Sequence, residues 1–151
     1  MLCKGNPKVA TGIKPILFSR YGKWCLNNSM DEIIADEDAY HKSFKLMAEA
    51  CLYISHNCTQ PLTLDDVAKK IGISKSYFSH LFKDYTQMTF VDYLTKERIR
   101  LAESMFMTEN KKYIDIAFEC GFNSVSSFNR SFKKVKGISP REFKNAMIKS
   151  L

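Results

Sequence analysis

The sequence predicts an all-α fold of about seven helices, preceded by an irregular N-terminal extension. Three observations carry that reading. Apolar residues recur at helical spacing almost without interruption from residue 41 onward. Cap residues and glycines divide this pattern into short segments, with no alternating run that reads as a strand. The segments also repeat at a nearly fixed offset. A chain of 151 residues suits one ordinary domain or a small domain with a tail. Its composition, 45% hydrophobic and 13% aromatic, supports a core and excludes global disorder. No apolar run approaches the roughly 18 residues of a membrane-spanning helix; stretches such as Pro15–Phe18 are a handful of residues. The N-terminus Met1-Leu2-Cys3-Lys4 lacks the apolar block of a secretory signal. The expectation is a cytoplasmic chain without membrane contact.

Residues 1–40 show no helical period. Gly5, Pro7, Gly12, Pro15 and Gly22 punctuate Met1–Trp24, and Asp31–Asp38 is an acidic cluster, so a boundary is placed near residue 40. Phe44, Met47, Ala48, Cys51 and Ile54 then form the stripe of an amphipathic helix that ends around Asn57–Pro61. Thr63-Leu64-Asp65-Asp66 has the form of a capping box, opening a short helix that Gly72 closes. Ser74 caps a helix with Phe78, Leu81, Phe82 and Tyr85 on its apolar side. Thr89-Phe90-Val91-Asp92 repeats the cap pattern before a longer helix carrying Leu94, Ile99, Leu101, Ala102, Met105 and Phe106. Tyr113–Cys120 is short and stopped by Gly121, and Ser124–Val135 follows. Ser139-Pro140-Arg141-Glu142 supplies an N-cap, a proline at the first helical position and an acidic third residue for the last helix.

The internal repeat is the strongest signal. At an offset of 49 (64 to 113), Leu64 through Gly72 falls on Tyr113 through Gly121. Beyond the glycines the offset becomes 50. Phe78, Phe82 and Lys83 then meet Phe128, Phe132 and Lys133, while Thr89, Asp92 and Tyr93 meet Ser139, Glu142 and Phe143. The second turn holds one inserted residue. Two copies are too few for a solenoid stack.

Charge locates the working half. The net +7 lies entirely in residues 41–151, since residues 1–40 carry five basic and five acidic side chains. Arg130, Lys133, Lys134, Lys136, Arg141, Lys144 and Lys149 face only Glu142 in the last thirty-one positions. Such a surplus points to an anionic partner. The five cysteines (Cys3, Cys25, Cys51, Cys58, Cys120) and three histidines (His41, His56, His80) form no ligand or pairing spacing, so neither a metal, another cofactor nor a disulfide is expected.

A short helix, a glycine-containing turn and a second helix with one apolar stripe is the layout of a helix-turn-helix, whose second helix enters the DNA major groove. By spacing, Phe78, Leu81, Phe82 and Tyr85 face inward in the first copy, leaving Lys75, Ser76, Tyr77, Ser79, His80 and Lys83 outward. In the second copy Phe128, Phe132 and Val135 face inward, leaving Ser124, Val125, Ser126, Asn129, Arg130, Lys133 and Lys134. Small polar side chains flanked by cations suit base edges with phosphates on either side, and an exposed valine can touch a thymine methyl.

The motif residues carry a resemblance to a known family. Ala68-x3-Gly72-Ile73-Ser74, Phe82-Lys83, Arg98 and Ala102 form its first part. The second is Ile116-Ala117-x3-Gly121-Phe122-x5-Phe128-x-Arg130-x-Phe132-Lys133-Lys134-x2-Gly137-x-Ser139-Pro140-x2-Phe143. Together they resemble the DNA-binding domain of AraC/XylS-type transcription regulators over about residues 41–147. The resemblance implies two helix-turn-helix subdomains (41–88 and 108–151) joined by one long linker helix (89–107). It implies a sequence-specific regulator of double-stranded DNA, an activator by family habit, working with RNA polymerase. It places the base-reading positions on Ser76, Tyr77, Ser79 and His80, and on Val125, Ser126, Asn129 and Arg130. Lys75, Lys83, Ser124, Lys133, Lys134 and Arg141 are the candidates for phosphate contact. One departure is Gln87, where the family and the repeat (Gly137) have glycine. A non-glycine residue in a left-handed turn costs on the order of 1 kcal/mol, so the first subdomain is expected to be looser or to end its helix differently.

Many family members carry a sensing or dimerising domain of a hundred or more residues, which the first forty residues cannot supply. With two readers in one chain, a monomer is expected on DNA unless the chain is part of a larger dimeric regulator. The competing reading is a protein-interaction module of the same fold, using Met88, Met105, Met107 and the N-terminal extension as contacts. An enzyme would need a reactive cysteine in a Pro-Cys-His setting or a four-cysteine zinc site, and the sequence has neither. Cys120 aligns with Ile71 and is expected in the core.

Overall fold

The structure, a computed structural model, describes residues 30–109 and 111–149, with side-chain surroundings from His41 to Met147. Seven helices and no strand are found among the described residues: α1 (Met30–Asn57), α2 (Leu64–Lys70), α3 (Lys75–Thr86), α4 (Phe90–Thr108), α5 (Tyr113–Glu119), α6 (Val125–Lys136) and α7 (Pro140–Lys149). The chain divides into two units between His41 and Lys42, and both apolar cores belong to the second. Residues 1–29 of the expected extension lie outside the described residues. Residues 30–40 correct that expectation, because they are helical.

Caps set the helix boundaries. Thr63 and Asp66 form a complete capping box: the Asp66 N–H donates to Thr63 Oγ1 at 3.2 Å, and the Thr63 N–H donates to Asp66 Oδ2 at 2.9 Å. Ser139 and Glu142 form the equivalent box on α7. Ser74, Thr89 and Ser124 each accept from a backbone N–H in the first turn of α3, α4 and α6. Lys112, before α5, makes no such bond. Gly72 (φ 76°) and Gly121 (φ 85°) turn the chain through the left-handed region. At those turns the Ile73 N–H donates to Ala68 O at 3.1 Å and the Phe122 N–H to Ala117 O at 3.2 Å.

Two apolar cores result. Met47, Ala50, Ile54, Cys58, Val67, Ala68, Phe78, Phe82, Phe90 and Leu94 form one. Ile99, Ala102, Met105, Phe106, Ile116, Ala117, Cys120, Phe122, Phe128, Phe132 and Phe143 form the other. α4 contributes to both, and Leu101 packs against both. The repeat extends to ring contacts: Phe82 meets Tyr93 edge-on at 5.2 Å, and Phe132 meets Phe143 edge-on at 5.4 Å.

Some side chains depart from the sequence reading. Val135, expected inward, is 40% exposed; it sits in the last turn of α6, beyond the core that Phe128 and Phe132 fill. Val125, expected outward, is half-buried at the first helical position. Met105, expected as a partner contact, is buried, with the Cys120 thiol 3.7 Å from its sulfur. The α1 stripe centres on Met47, Ala50 and Ile54, while Phe44, Ala48 and Cys51 are half-buried. Gln87 takes the left-handed conformation (φ 59°), as Gly137 does (φ 80°). Each donates its N–H four residues back, to Lys83 O and Lys133 O at 2.9 Å. The two helices therefore end alike, so the expected different ending at Gln87 does not arise, and Gln87 carries the left-handed backbone without being glycine.

Candidate nucleic-acid interface

α3 and α6 are seated by matching phenylalanines. Phe78 and Phe82 bury one side of α3, with ring centroids 5.1 Å apart; Phe128 and Phe132 do the same for α6 at 5.5 Å. Burying one side at this spacing leaves the opposite side in water. On α3 that side carries Lys75, Ser76, Tyr77, Ser79, His80 and Lys83, all exposed, with Tyr77 at 51%. On α6 it carries Ser126, Asn129, Arg130, Lys133 and Lys134, all exposed. Val125 only half joins this face. Ser124 is exposed, but its hydroxyl already accepts from the Ser127 N–H at 3.2 Å.

The cations of α6 divide into two pairs. Lys134 reaches Asp92 of α4 at 3.1 Å, and Lys136 pairs with Glu103 and lies 5.9 Å from the Phe143 ring centroid. Arg130 and Lys133 form no ion pair among the described residues and point off the same side, three positions apart. α6 itself holds no carboxylate, whereas α3 holds Asp84. Arg141, in the first turn of α7, is exposed. The face can therefore donate hydrogen bonds and attract anions, and Asn129 can both donate and accept.

Between the C-terminal ends of α3 and α6 and the start of α4 lies an open groove of about 510 Å³. Lys83, Lys96, Lys134, Gln87, Met88 and Val135 are among its lining residues. Sequence reasoning missed it, because no single helix carries it and Val135 was assigned to the core. Sequence reasoning also missed the role of Arg98, which leaves α4 to bind the carbonyls of Cys58 and Gln60 at 2.7 and 3.0 Å. Its place in the motif was visible; its partners, 40 and 38 residues back, were not.

Burial pushes the Cys120 thiol up to about 12, and it also raises Cys51 and Cys58. Among the described residues no three His, Cys, Asp or Glu side chains are grouped to hold a metal ion.

A helix-turn-helix domain family model matches residues 67–146. The transposon Tn10 TetD protein of Escherichia coli is 34% identical over 109 residues, covering 72% of this chain and 78% of that protein. The regulatory protein SoxS of Escherichia coli (strain K12) is 31% identical over 103 residues, covering 68% of this chain and 96% of that protein. A transcriptional regulator with an AraC-type DNA-binding domain from Chromobacterium violaceum superposes with a TM-score of 0.66. It is 27% identical, and the match covers 71% of this chain and 96% of that one.

Proposed function

Because the chain belongs to the AraC/XylS-type family of helix-turn-helix DNA-binding transcription regulators, we propose that it seats α3 and α6 in successive major grooves of one site. One observation carries the reading: the repeat places equivalent phenylalanines beneath both helices, so two polar, cationic faces are presented by one chain. The nineteen residues of α4 span about 28 Å at ~1.5 Å each. That is comparable with the ~34 Å between major-groove half-sites one turn apart.

In this reading Ser76, Tyr77, Ser79 and His80 on α3, with Val125, Ser126, Asn129 and Arg130 on α6, meet base edges. Lys75, Lys83, Ser124, Lys133 and Arg141 hold phosphates. Lys134 joins them by exchanging Asp92 for a phosphate. The protein works as a monomer and activates by touching RNA polymerase while both grooves are occupied. Met105 is unavailable to the competing interaction-module reading, since it is buried.

Selection of binding sites from a random duplex library with the full chain, at physiological salt, tests the proposal. The expected result is an asymmetric consensus with two protected stretches one helical turn apart. A single protected stretch, or retention without sequence enrichment, overturns it. Transcription of a reporter placed behind the selected site tests activation, with repression as the contrary outcome.

A further inference from the structure

Arg98 lies near the middle of α4, far in sequence from both reader helices. Its Nε donates to Cys58 O at 2.7 Å and its Nη2 to Gln60 O at 3.0 Å, so one rigid fork grips the loop leading into α2. The same guanidinium lies 5.8 Å from the centroid of Phe122, and Phe122 packs edge-on against Phe128 at 5.2 Å. Phe128 is one of the two rings seating α6. Between the gripped carbonyls, Thr59 touches the turn that launches α6: a Cβ built on Gly121 would stand 2.6 Å from Thr59 O and 2.9 Å from its carbonyl carbon. The entrance to the first helix-turn-helix and the turn of the second are thus clamped together at Arg98.

A helix shared by two cores fixes their separation along its axis more firmly than their swing about it. A brace placed off the axis removes that swing. We infer that Arg98, with the Thr59–Gly121 backbone contact beside it, is a positioning residue that sets the phase between the two readers and hence the half-site spacing the protein accepts. The inference rests on the two-groove reading above. Adding one base pair between half-sites moves the second by about 3.4 Å along the duplex and about 35° around it. A braced pair of readers cannot follow that move without losing contacts; a pair free to swing can.

The test compares the full chain with Arg98→Met, which keeps side-chain length and removes the donors. Arg98→Lys, which keeps charge and one donor group, serves as the conservative variant and carries the test should Arg98→Met not fold. Each is measured on the selected site and on versions lengthened or shortened by one base pair. The wild type should lose about 10–100-fold in affinity on either altered site, as for one badly mismatched position. Arg98→Met should bind the unaltered site within about fivefold of wild type and lose less than about threefold on the altered ones, a relaxation no base contact supplies. Arg98→Lys should fall between. A purely structural role would lower affinity on all three sites in proportion and leave the spacing penalty intact, which overturns the inference alone. A wild type indifferent to spacing overturns the two-groove reading and this inference with it.

Discussion

Arg130 and Lys133 share one side of α6 without ion-pair partners among the described residues, yet their chemistry differs. The Arg130 fork can bond O6 and N7 of one guanine together, a contact worth about 1–3 kcal/mol of discrimination. Lys133 is a compact charge suited to a phosphate. Arg130→Ala should therefore relax preference at one base pair while random DNA binding changes little. Lys133→Ala should weaken all sequences alike and flatten the salt slope by about one unit. Competition against single-base site variants measures both; uniform loss from Arg130→Ala would move it among the phosphate contacts. The glycines make a second matched pair. Gly72 and Gly121 have similar positive φ, but a Cβ on Gly72 meets nothing within 4 Å, while one on Gly121 meets the Thr59 backbone. Gly72→Ala should cost about 1 kcal/mol for the left-handed backbone, and Gly121→Ala about 1–3 kcal/mol more for the overpacked contact. Denaturant melts of both variants check this, and equal losses would remove the close approach as a stability factor. The sequence showed that both positions need glycine as turn residues. The extra demand on Gly121 was hidden, because it comes from a residue 62 positions earlier that no periodicity connects to it.

At the level of helices, the repeat made most of the fold legible. Phe82 and Phe132, equivalent by offset, are both fully buried among rings. Either one replaced by Ala should cost about 3–5 kcal/mol, read as a fall in thermal midpoint; unchanged midpoints would deny them their anchoring role. Caps were legible too, since Ser or Thr followed by an acidic residue is a local pattern. Their chemistry gives a pH prediction. The Thr63 hydroxyl and N–H hold the Asp66 carboxyl below its usual range, and the Ser139 hydroxyl and N–H do the same for Glu142. The Thr89 hydroxyl, then Lys134, lowers Asp92. A carboxyl depressed in the folded state adds stability that is complete above its unfolded pKa and lost as pH falls through the folded one. The thermal midpoint should therefore drop as pH falls below about 4, and the double variant Asp66→Asn, Glu142→Gln should drop less steeply over the same interval. Parallel melts of the two proteins from pH 6 to 3 decide it; identical slopes would exclude the caps as the cause. Less legible was the helical state of residues 30–40, where an acidic run without an apolar stripe shows no helical period in the sequence. Val135 was misplaced because spacing continues a stripe past the point where the core ends.

For the whole molecule, the +7 charge overstates the positive face that DNA would meet. Lys69, Arg100, Lys111, Lys134 and Lys136 are engaged with carboxylates of this same chain. Lys75, Lys83, Arg130, Lys133 and Arg141 are exposed and form no ion pair within 4 Å among the described residues, although the Lys133 charge helps to lower the Glu142 carboxyl; they cluster on α3, α6 and the start of α7. If Arg130 reads a base and Lys134 exchanges Asp92 for a phosphate, about five phosphates are neutralised. Each contributes close to one unit to the slope of log affinity against log salt, for a total of about −4 to −5. Raising salt fourfold should then weaken binding by roughly 10²–10³-fold on specific and random DNA together. If both readers of one chain fill two turns of duplex, as proposed, a single copy should occupy the site. Filter binding across a salt series gives the slope, and sedimentation with and without a selected duplex gives the stoichiometry. A slope shallower than about −2 would mean that the exposed cations do not lie along the backbone. Two copies per site would mean that each chain commits one reader helix and leaves the other free, and Lys75 and Lys83 variants would then leave the slope unchanged while Lys133 variants reduced it.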